Sequence, residues 1–311
     1  MFSQSMFRFV LGVDNESELL LESLSWFMFL MGGCAFLVMR FVNMPYGRFA
    51  SRKFGFPVNV KVAWFIQEFP SLAVPVYLVF FSTDIRPLQL SNQLLLGMFI
   101  CHYIHRSLMF PFLIRGGKAT PFIPFACAFI FCIYNGYLQA RYLSKYAVYP
   151  SDWITDPRFL TGFTLWLFGL SVNLHSDHIL RKLRKPGETG YKIPQGGMFE
   201  YVSCANFLGE IMEWFGFAIA CWSLQSASFA GFGFLILSSR AAQHHRLAAL
   251  LLMRRHRQRT PLRTCKRRGT VFDAERWLHP RLDWPHCVTA VKRPVSGQSG
   301  NKIFQRTSEC R

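Results

Sequence analysis

The chain has 311 residues, of which 51% are hydrophobic and only 17% are charged, and its formal net charge is +18. About a quarter of the residues of a soluble protein are usually charged, so this composition excludes an ordinary soluble globular domain and favours a membrane protein. Residues 246–311 hold 16 Lys and Arg against 4 Asp and Glu. We therefore expect a membrane domain at 1–253 and a basic tail at 254–311, disordered because it lacks hydrophobic periodicity.

Seven apolar segments are candidates to cross a bilayer, which takes about 20 mostly apolar residues. They are 19–42, 62–81, 94–114, 122–143, 159–178, 207–224 and 229–253. The predicted fold is an all-α membrane protein with seven transmembrane helices, and six helices are the alternative. The short uncharged segment 225–228 is expected to connect the last two spans.

Positive charge alternates along the connecting loops. Loops one, three and five are rich in Lys and Arg, loops two and six are nearly free of them, and loop four is mixed. Positively charged loops tend to stay in the cytosol. The odd-numbered loops and the C-terminus are therefore predicted to be cytosolic, and the N-terminus lumenal.

The second span contains a carboxyl group, Glu68, shortly before Pro70. Proline clashes with the carbonyl four residues back, so we expect a kink at Gln67 and Glu68. A carboxyl group in a span is costly as an isolated charge, and intramembrane ionisable groups are usually functional. Glu68 is therefore a candidate site residue. The alternative is that Glu68 caps a neighbouring helix or marks a misplaced span boundary.

The third span carries the sequence His-Tyr-Ile-His-Arg at 102–106. Helical spacing places His102, His105 and Arg106 on one face. Tyr103 could donate a hydrogen bond to a substrate carbonyl, or it could be a tyrosine at the membrane boundary, which is a common placement. This span alone leaves both interpretations open.

Polar side chains are dense around the end of the fifth span. Four of them are spaced four, four and three residues apart, on one helical stripe: Asn173, Asp177, Arg181 and Arg184. Arginine is favoured for bidentate phosphate contacts, so the stripe is suited to a phosphate or a ribose. The positive-inside signal alone would explain the arginines but neither Asn173 nor Asp177.

Two further polar stripes follow. Asn206, Glu210 and Glu213 lie on one face of the sixth span, and Arg240 and His244 are four residues apart on the seventh. These side chains could bind a ligand, or they could form an internal salt-bridge network. No metal site is predicted, because further histidine or acidic ligands are not clearly placed and the cysteines form no CxxC pair. The sequence lacks a Rossmann or Walker motif, so any nucleotide is bound by another architecture.

These residues resemble the steroid 5α-reductase family (3-oxo-5α-steroid 4-dehydrogenases), most closely its type 1 members, over roughly residues 45–245. The matching motifs are Pro45-Tyr46-Gly47, Gln67-Glu68-Phe69-Pro70-Ser71, His102-Tyr103-Ile104-His105-Arg106, Asn135-Gly136-Tyr137-Leu138-Gln139, Asn173-Leu174-His175-Ser176-Asp177, Leu183-Arg184-Lys185-Pro186-Gly187 and Ala205-Asn206-Phe207-Leu208-Gly209-Glu210. The resemblance implies an NADPH-dependent reductase of the endoplasmic reticulum membrane. It would reduce the C4–C5 double bond of 3-oxo-Δ4 steroids such as testosterone or progesterone.

The resemblance also implies roles for individual residues. Glu68 and Tyr103 match the catalytic pair that holds and polarises the steroid 3-carbonyl. The positions that match the NADPH pocket are Asn173, Asp177, Arg184, Tyr191, Asn206, Glu210, Arg240 and His244. Tyr46, Trp64 and Gln67 are assigned to the cofactor and steroid cavity that the helix bundle encloses. The expected partners are the steroid substrate and the lipid bilayer, with no nucleic acid and no obligate protein partner.

The resemblance is expected to end after His245. The family continues with an aromatic-rich segment, and its cofactor-contacting tyrosine falls on Ala248 here. Two alternatives to an active reductase follow: a catalytically silent membrane isoform, and a reductase of another lipid enone. Retention of Glu68, Tyr103 and the cofactor stripe favours activity over silence. The match throughout the steroid-facing spans favours a steroid over another lipid.

Overall fold

The computed structural model describes residues 18–82, 88–183 and 192–259. The α-helices in these ranges are α1 Glu18–Phe41, α2 Val60–Glu68, α3 Pro70–Phe81, α4 Leu90–Tyr103, α5 Phe110–Leu113, α6 Phe122–Arg141, α7 Pro157–Lys182, α8 Ala205–Cys221 and α9 Leu224–Arg259. The chain divides into two units, Met1–Arg263 and Thr264–Arg311. The second unit lies outside the described residues, as does the predicted tail beyond the end of α9.

Shorter elements join the helices. Two π-helical turns, Ile104–Met109 and Tyr142–Tyr146, continue α4 and α6. The 3₁₀ turns are Gly47–Phe49, Arg52–Phe54, Trp153–Thr155 and Gly197–Glu200. Strand β1 (Pro57–Val58) pairs antiparallel with β2 (Thr120–Pro121), with Pro57 opposite Pro121 and Val58 opposite Thr120. Short π-helical turns inside α-helices are frequent at functional sites, and the first of them directly follows Tyr103.

A helix of the described chain coincides with each predicted span. Three stretches are long and apolar enough to cross a membrane by length and composition: Glu18–Phe41, Val60–Phe81 and Phe122–Tyr146. The expectation of a helical membrane protein is therefore met, and the count of seven spans stays a prediction.

One predicted connection was wrong. Residues 225–228 lie in the first turns of α9, and the connection to α8 consists of Trp222 and Ser223. Trp222 adopts a left-handed conformation (φ 47°) that ends α8. The Ser223 hydroxyl accepts a hydrogen bond from the Ser226 backbone N–H at 3.3 Å, as an N-cap does. The uncharged polar residues thus begin a helix instead of forming a loop.

The helix is interrupted where the sequence predicted a kink in the second span. Helix α2 ends at Glu68 and α3 begins at Pro70, which takes the first helical position, where a missing N–H costs nothing. Gln67 is buried directly before this break. The break therefore lies beside the carboxyl group that the sequence singled out.

Contacts join loops that the sequence predicts to lie on the same side of the membrane. The β1–β2 pair joins loops one and three, and Lys118 Nζ donates to the Arg48 carbonyl at 3.2 Å across the same loops. At another place in the fold, the Tyr149 hydroxyl of loop four donates to the Cys221 carbonyl before loop six at 2.8 Å. Loops one and three therefore lie together, and loop four lies against the end of α8, while the sides of the membrane on which they lie stay a prediction.

Helices α7 and α8 pack backbone against backbone through glycines spaced seven residues apart on each helix. A Cβ atom at Gly169 would lie 2.6 Å from the Gly209 carbonyl oxygen, and one at Gly162 would lie 2.6 Å from the Gly216 carbonyl oxygen. Small residues allow helix backbones in membranes to approach this closely. The close approach brings the polar end of α7, near Asn173, against the start of α8.

Replacing Gly169 with Ala is expected to destabilise the protein, because the added methyl group meets backbone that cannot rotate away. Overpacking of this kind costs about 1–3 kcal/mol. The matched control is Gly97→Ala, since a Cβ at Gly97 meets no atom within 4 Å. This control should be neutral or slightly stabilising, because Ala is the better helix former. Thermal unfolding of the purified variants in detergent measures both, and equal losses would contradict the close-packing account.

Candidate functional site

Arg106 lies at the centre of the polar side chains. Its Nη1 donates to Asp177 Oδ2 at 3.3 Å and its Nη2 donates to Glu210 Oε2 at 3.1 Å. The guanidinium carbon lies 5.0 Å from the Trp64 ring centroid and 4.9 Å from that of Phe110. Arg106 is 11% exposed, so this is a buried ion triad. The sequence placed Arg106 on a polar face and assigned it no role.

Glu68 is held by neighbouring side chains at the break between α2 and α3. Gln67 Nε2 donates to Glu68 Oε1 at 3.1 Å, and the Cys132 thiol lies 3.8 Å from Oε2. Arg106 adds electrostatic attraction. Glu68 is therefore not an isolated charge, and these partners are side chains and not the backbone amides of a capped helix.

Tyr103 is buried in the core of the fold, 4% exposed. Its ring centroid lies 4.7 Å from that of Phe99 and 6.0 Å from that of Trp214. Its hydroxyl accepts a hydrogen bond from Asn135 Nδ2 at 3.5 Å and interacts electrostatically with Glu68. Tyr103 is therefore a core residue of the helix bundle and not a side chain on its outer surface. Asn135 lies in one of the family-like motifs of the sequence, but no role was predicted for it.

His102, the residue before Tyr103, forms a second buried pair with Glu213. His102 Nδ1 lies 2.7 Å from Glu213 Oε1, and both side chains are buried. Glu213 Oε2 has no hydrogen-bond partner among the described residues. Glu210 and Glu213, which the sequence placed on one stripe, thus bind Arg106 and His102 respectively. This geometry supports an internal salt-bridge network for that stripe.

Aromatic side chains surround the remaining basic residues. The Arg240 guanidinium carbon lies 5.2 Å from the Tyr46 ring centroid and 4.8 Å from that of Phe207. His244 lies between Phe49 and Phe207, with centroid distances of 5.5 and 6.0 Å. Burial raises the pKa of the Tyr46 phenol, so Tyr46 is a neutral hydroxyl at physiological pH. Arg240, His244 and Tyr46 thus bring cationic and hydrogen-bonding groups together against aromatic rings.

The contact between the Tyr46 and Trp64 rings connects Arg240 and His244 to the ion triad of Arg106. Their centroids are 5.9 Å apart, and Trp64 also meets the Arg106 guanidinium. Ring and charge contacts therefore link Arg240 and His244, through Tyr46 and Trp64, to Asp177 and Glu210. Arg184 and Tyr191 lie outside the described residues.

Helix α7 carries buried polar atoms that lack a partner among the described residues. They are Trp166 Nε1 in the middle of the helix and, nearer its C-terminal end, Asn173 Oδ1, Ser176 Oγ and Arg181 Nη1. Asn173 Nδ2 donates to the Asn206 carbonyl at 2.9 Å, which fixes the orientation of its amide. An unsatisfied buried polar group costs about 1–3 kcal/mol, so the three nearer the C-terminal end point to a polar ligand. The donors and acceptors present fit the amide, hydroxyl and phosphate groups of a dinucleotide.

Curated proteins similar to this chain share one name. The chain is 53% identical over 238 residues to 3-oxo-5-alpha-steroid 4-dehydrogenase 1 of Bos taurus, covering 75% of this chain and 92% of that protein. It is 53% identical over 234 residues to 3-oxo-5-alpha-steroid 4-dehydrogenase 1 of Homo sapiens, covering 75% and 90%. It is 49% identical over 189 residues to 3-oxo-5-alpha-steroid 4-dehydrogenase 2 of Homo sapiens, covering 60% and 72%. The higher identity and coverage with the type 1 proteins agree with the predicted resemblance.

A sequence model of the family described as 3-oxo-5-alpha-steroid 4-dehydrogenase matches residues 118–262. This match passes His245, where the sequence predicted that the resemblance ends, and reaches the end of α9 at Arg259. The chain therefore belongs to the 3-oxo-5-alpha-steroid 4-dehydrogenase family and is a steroid-reducing enzyme of that class.

Proposed function

We propose that the chain reduces the C4–C5 double bond of 3-oxo-Δ4 steroids with NADPH. Testosterone would become dihydrotestosterone, and progesterone would become its 5α-dihydro form. The observation that carries this proposal is the buried Tyr103 hydroxyl, which interacts electrostatically with the Glu68 carboxyl group, while Arg106 links Glu68 to the polar end of α7. Family membership supports the substrate class.

NADPH is the cofactor that the polar group fits. Asn173, Asn206 and the unpartnered atoms of α7 would bind its amide and hydroxyl groups. Asp177 and Glu210 would act together with Arg106, to which both are paired. The cofactor set is completed by Arg184, Tyr191, Arg240 and His244, which supply cationic and hydrogen-bonding groups. Bound there, NADPH supplies a hydride to C5 of the enone.

Tyr103 and Glu68 have a defined role in this reaction. As C5 is reduced, negative charge builds on the steroid 3-oxygen. The Tyr103 hydroxyl donates a hydrogen bond to that oxygen, and Glu68 supports Tyr103 from the same buried site. A preorganised donor in a site that excludes water stabilises such charge far more than it would in bulk water. The reaction is completed by a proton that reaches C4 from water or from the same network.

The aromatic wall is suited to an apolar substrate. Trp64 and Phe110 lie against the guanidinium of Arg106, Tyr46 packs against Trp64, and Gln67 adjoins Glu68. Binding sites of small ligands are mostly apolar with a few polar groups that set orientation. We infer that these rings contact the cofactor and the steroid. We place the enzyme in the endoplasmic reticulum membrane as a seven-helix bundle with a lumenal N-terminus and a cytosolic C-terminus.

The test is NADPH-dependent conversion of testosterone to dihydrotestosterone in membranes that contain this chain. Glu68→Gln should lower turnover about 10- to 100-fold, because it removes a hydrogen bond from a charged group. Glu22→Gln is the matched control, since Glu22 is exposed on α1 and should leave turnover unchanged. A folded wild-type chain that converts no steroid would overturn the proposal and support the silent isoform.

A further inference from the structure

Two amide side chains are buried one helical turn apart in α6. Asn135 is 0% exposed and Gln139 is 2% exposed, in a helix that is otherwise largely apolar. A buried amide is costly unless it is hydrogen-bonded. Both are bonded, and their bonds form a chain that ends on the Tyr103 hydroxyl.

The donor and the acceptor of each hydrogen bond in this series follow from one backbone group, the Gln225 carbonyl. Gln139 Nε2 lies 2.9 Å from the Gln225 carbonyl oxygen, which can only accept. The same Nε2 lies 3.3 Å from Asn135 Oδ1. The oxygen and nitrogen of an amide must be assigned from such partners. Because Gln139 presents its N–H groups, Asn135 must turn its oxygen towards Gln139 and its N–H groups towards Tyr103.

The Tyr103 oxygen therefore accepts from Asn135, and its own proton points elsewhere. Ser71 and Glu68 are among the groups near the Tyr103 phenol. The Ser71 hydroxyl donates its proton to the Cys132 carbonyl at 3.0 Å, so towards Tyr103 it can only accept. These hydrogen bonds thus make the phenol a donor in a direction away from Asn135.

We infer that Asn135, held by Gln139, is a positioning residue for Tyr103 that keeps the phenol proton free to be donated to the steroid 3-carbonyl. This inference rests on the proposed function. A hydrogen bond to the phenol oxygen also stabilises the charge that this oxygen gains as the 3-oxygen becomes an enolate. In a buried site such connected hydrogen bonds strengthen one another.

The test compares two substitutions at Asn135 with a matched buried amide in the full-length chain. Asn135→Ala removes the donor, and Asn135→Asp keeps the shape but places an acceptor against the phenol oxygen. Asn92→Ala is the control, because Asn92 is also buried but donates to the Leu143 and Ala147 carbonyls at 2.8 and 3.0 Å. Both Asn135 variants should lower kcat about three- to tenfold with the KM for NADPH unchanged, and the control should not.

A double-mutant cycle separates positioning from mere packing. If Asn135 acts through the phenol, Asn135→Ala should cost nothing further once Tyr103→Phe is present. Independent losses that multiply would overturn the inference, as would a kcat at the wild-type level in the folded Asn135→Asp variant.

A spectroscopic measurement distinguishes failure of the inferred role of Asn135 from failure of the proposed function. Testosterone bound with NADP⁺ should show a lowered carbonyl stretching frequency in the wild type, and a smaller lowering in Asn135→Ala. If the wild type lowers the frequency and Asn135→Ala lowers it equally, only the role of Asn135 is refuted. If the wild type neither lowers the frequency nor reduces testosterone, the proposed function fails and the inference falls with it.

Discussion

Replacing Tyr103 with Phe is expected to lower turnover of a 3-oxo-Δ4 steroid about 10²- to 10³-fold. Loss of one preorganised donor to a developing oxyanion has an effect of this size. The substitution removes only the hydroxyl, because the ring keeps its contacts with Phe99 and Trp214. The fold and NADPH binding should therefore be retained, and the loss should lie in kcat.

Steady-state kinetics with testosterone and a separate NADPH binding titration measure these two quantities. Tyr149→Phe is the matched control. Tyr149 is also a buried tyrosine with a hydrogen-bonded hydroxyl, but its partner is the Cys221 carbonyl at the end of α8. A folded Tyr103→Phe enzyme with wild-type turnover would contradict the assigned role. A comparable loss in Tyr149→Phe would show that the effect is one of stability.

Hydropathy and local chemistry were enough to predict the helices. Each apolar segment became a helix because an apolar environment leaves backbone groups no partner except those within the segment. The break before Pro70 followed from the absent N–H of proline and its steric clash, which act locally. The start of α9 was missed because Ser223 caps a helix, and capping residues look like loop residues in sequence.

The sequence predicted which polar side chains of the candidate site share one helix face, but not which residues pair across helices. Helical spacing shows which side chains share a face, and nothing in it gives the facing residue on another helix. The pairing of Arg106 with Asp177 and Glu210 depends on how closely α7 and α8 approach. That approach is set by glycines such as Gly169, whose importance lies in the absence of a side chain. The resemblance to a known family supplied roles, but it assigned none to Arg106 or Asn135.

Replacing Arg106 with Met is expected to destabilise the protein strongly. Asp177 and Glu210 would lose their shared counter-charge in a site where Arg106 is only 11% exposed. Removal of one partner from a buried ion pair costs about 3–5 kcal/mol, because the remaining charge is left without compensation. Methionine keeps an unbranched apolar side chain against Trp64 and Phe110, so the loss reports on charge more than on packing.

Thermal unfolding in detergent measures the loss, and two further variants identify its cause. Combining Arg106→Met with Asp177→Asn and Glu210→Gln removes every charge of the triad and should recover most of the stability. Steroid reduction should not recover, since the two carboxylates belong to the proposed NADPH site. Arg158→Met is the control, because the Asp156–Arg158 pair is more exposed (24% and 41%) than the triad and its loss should matter little. Equal destabilisation by Arg106→Met and Arg158→Met would show that burial does not govern this triad.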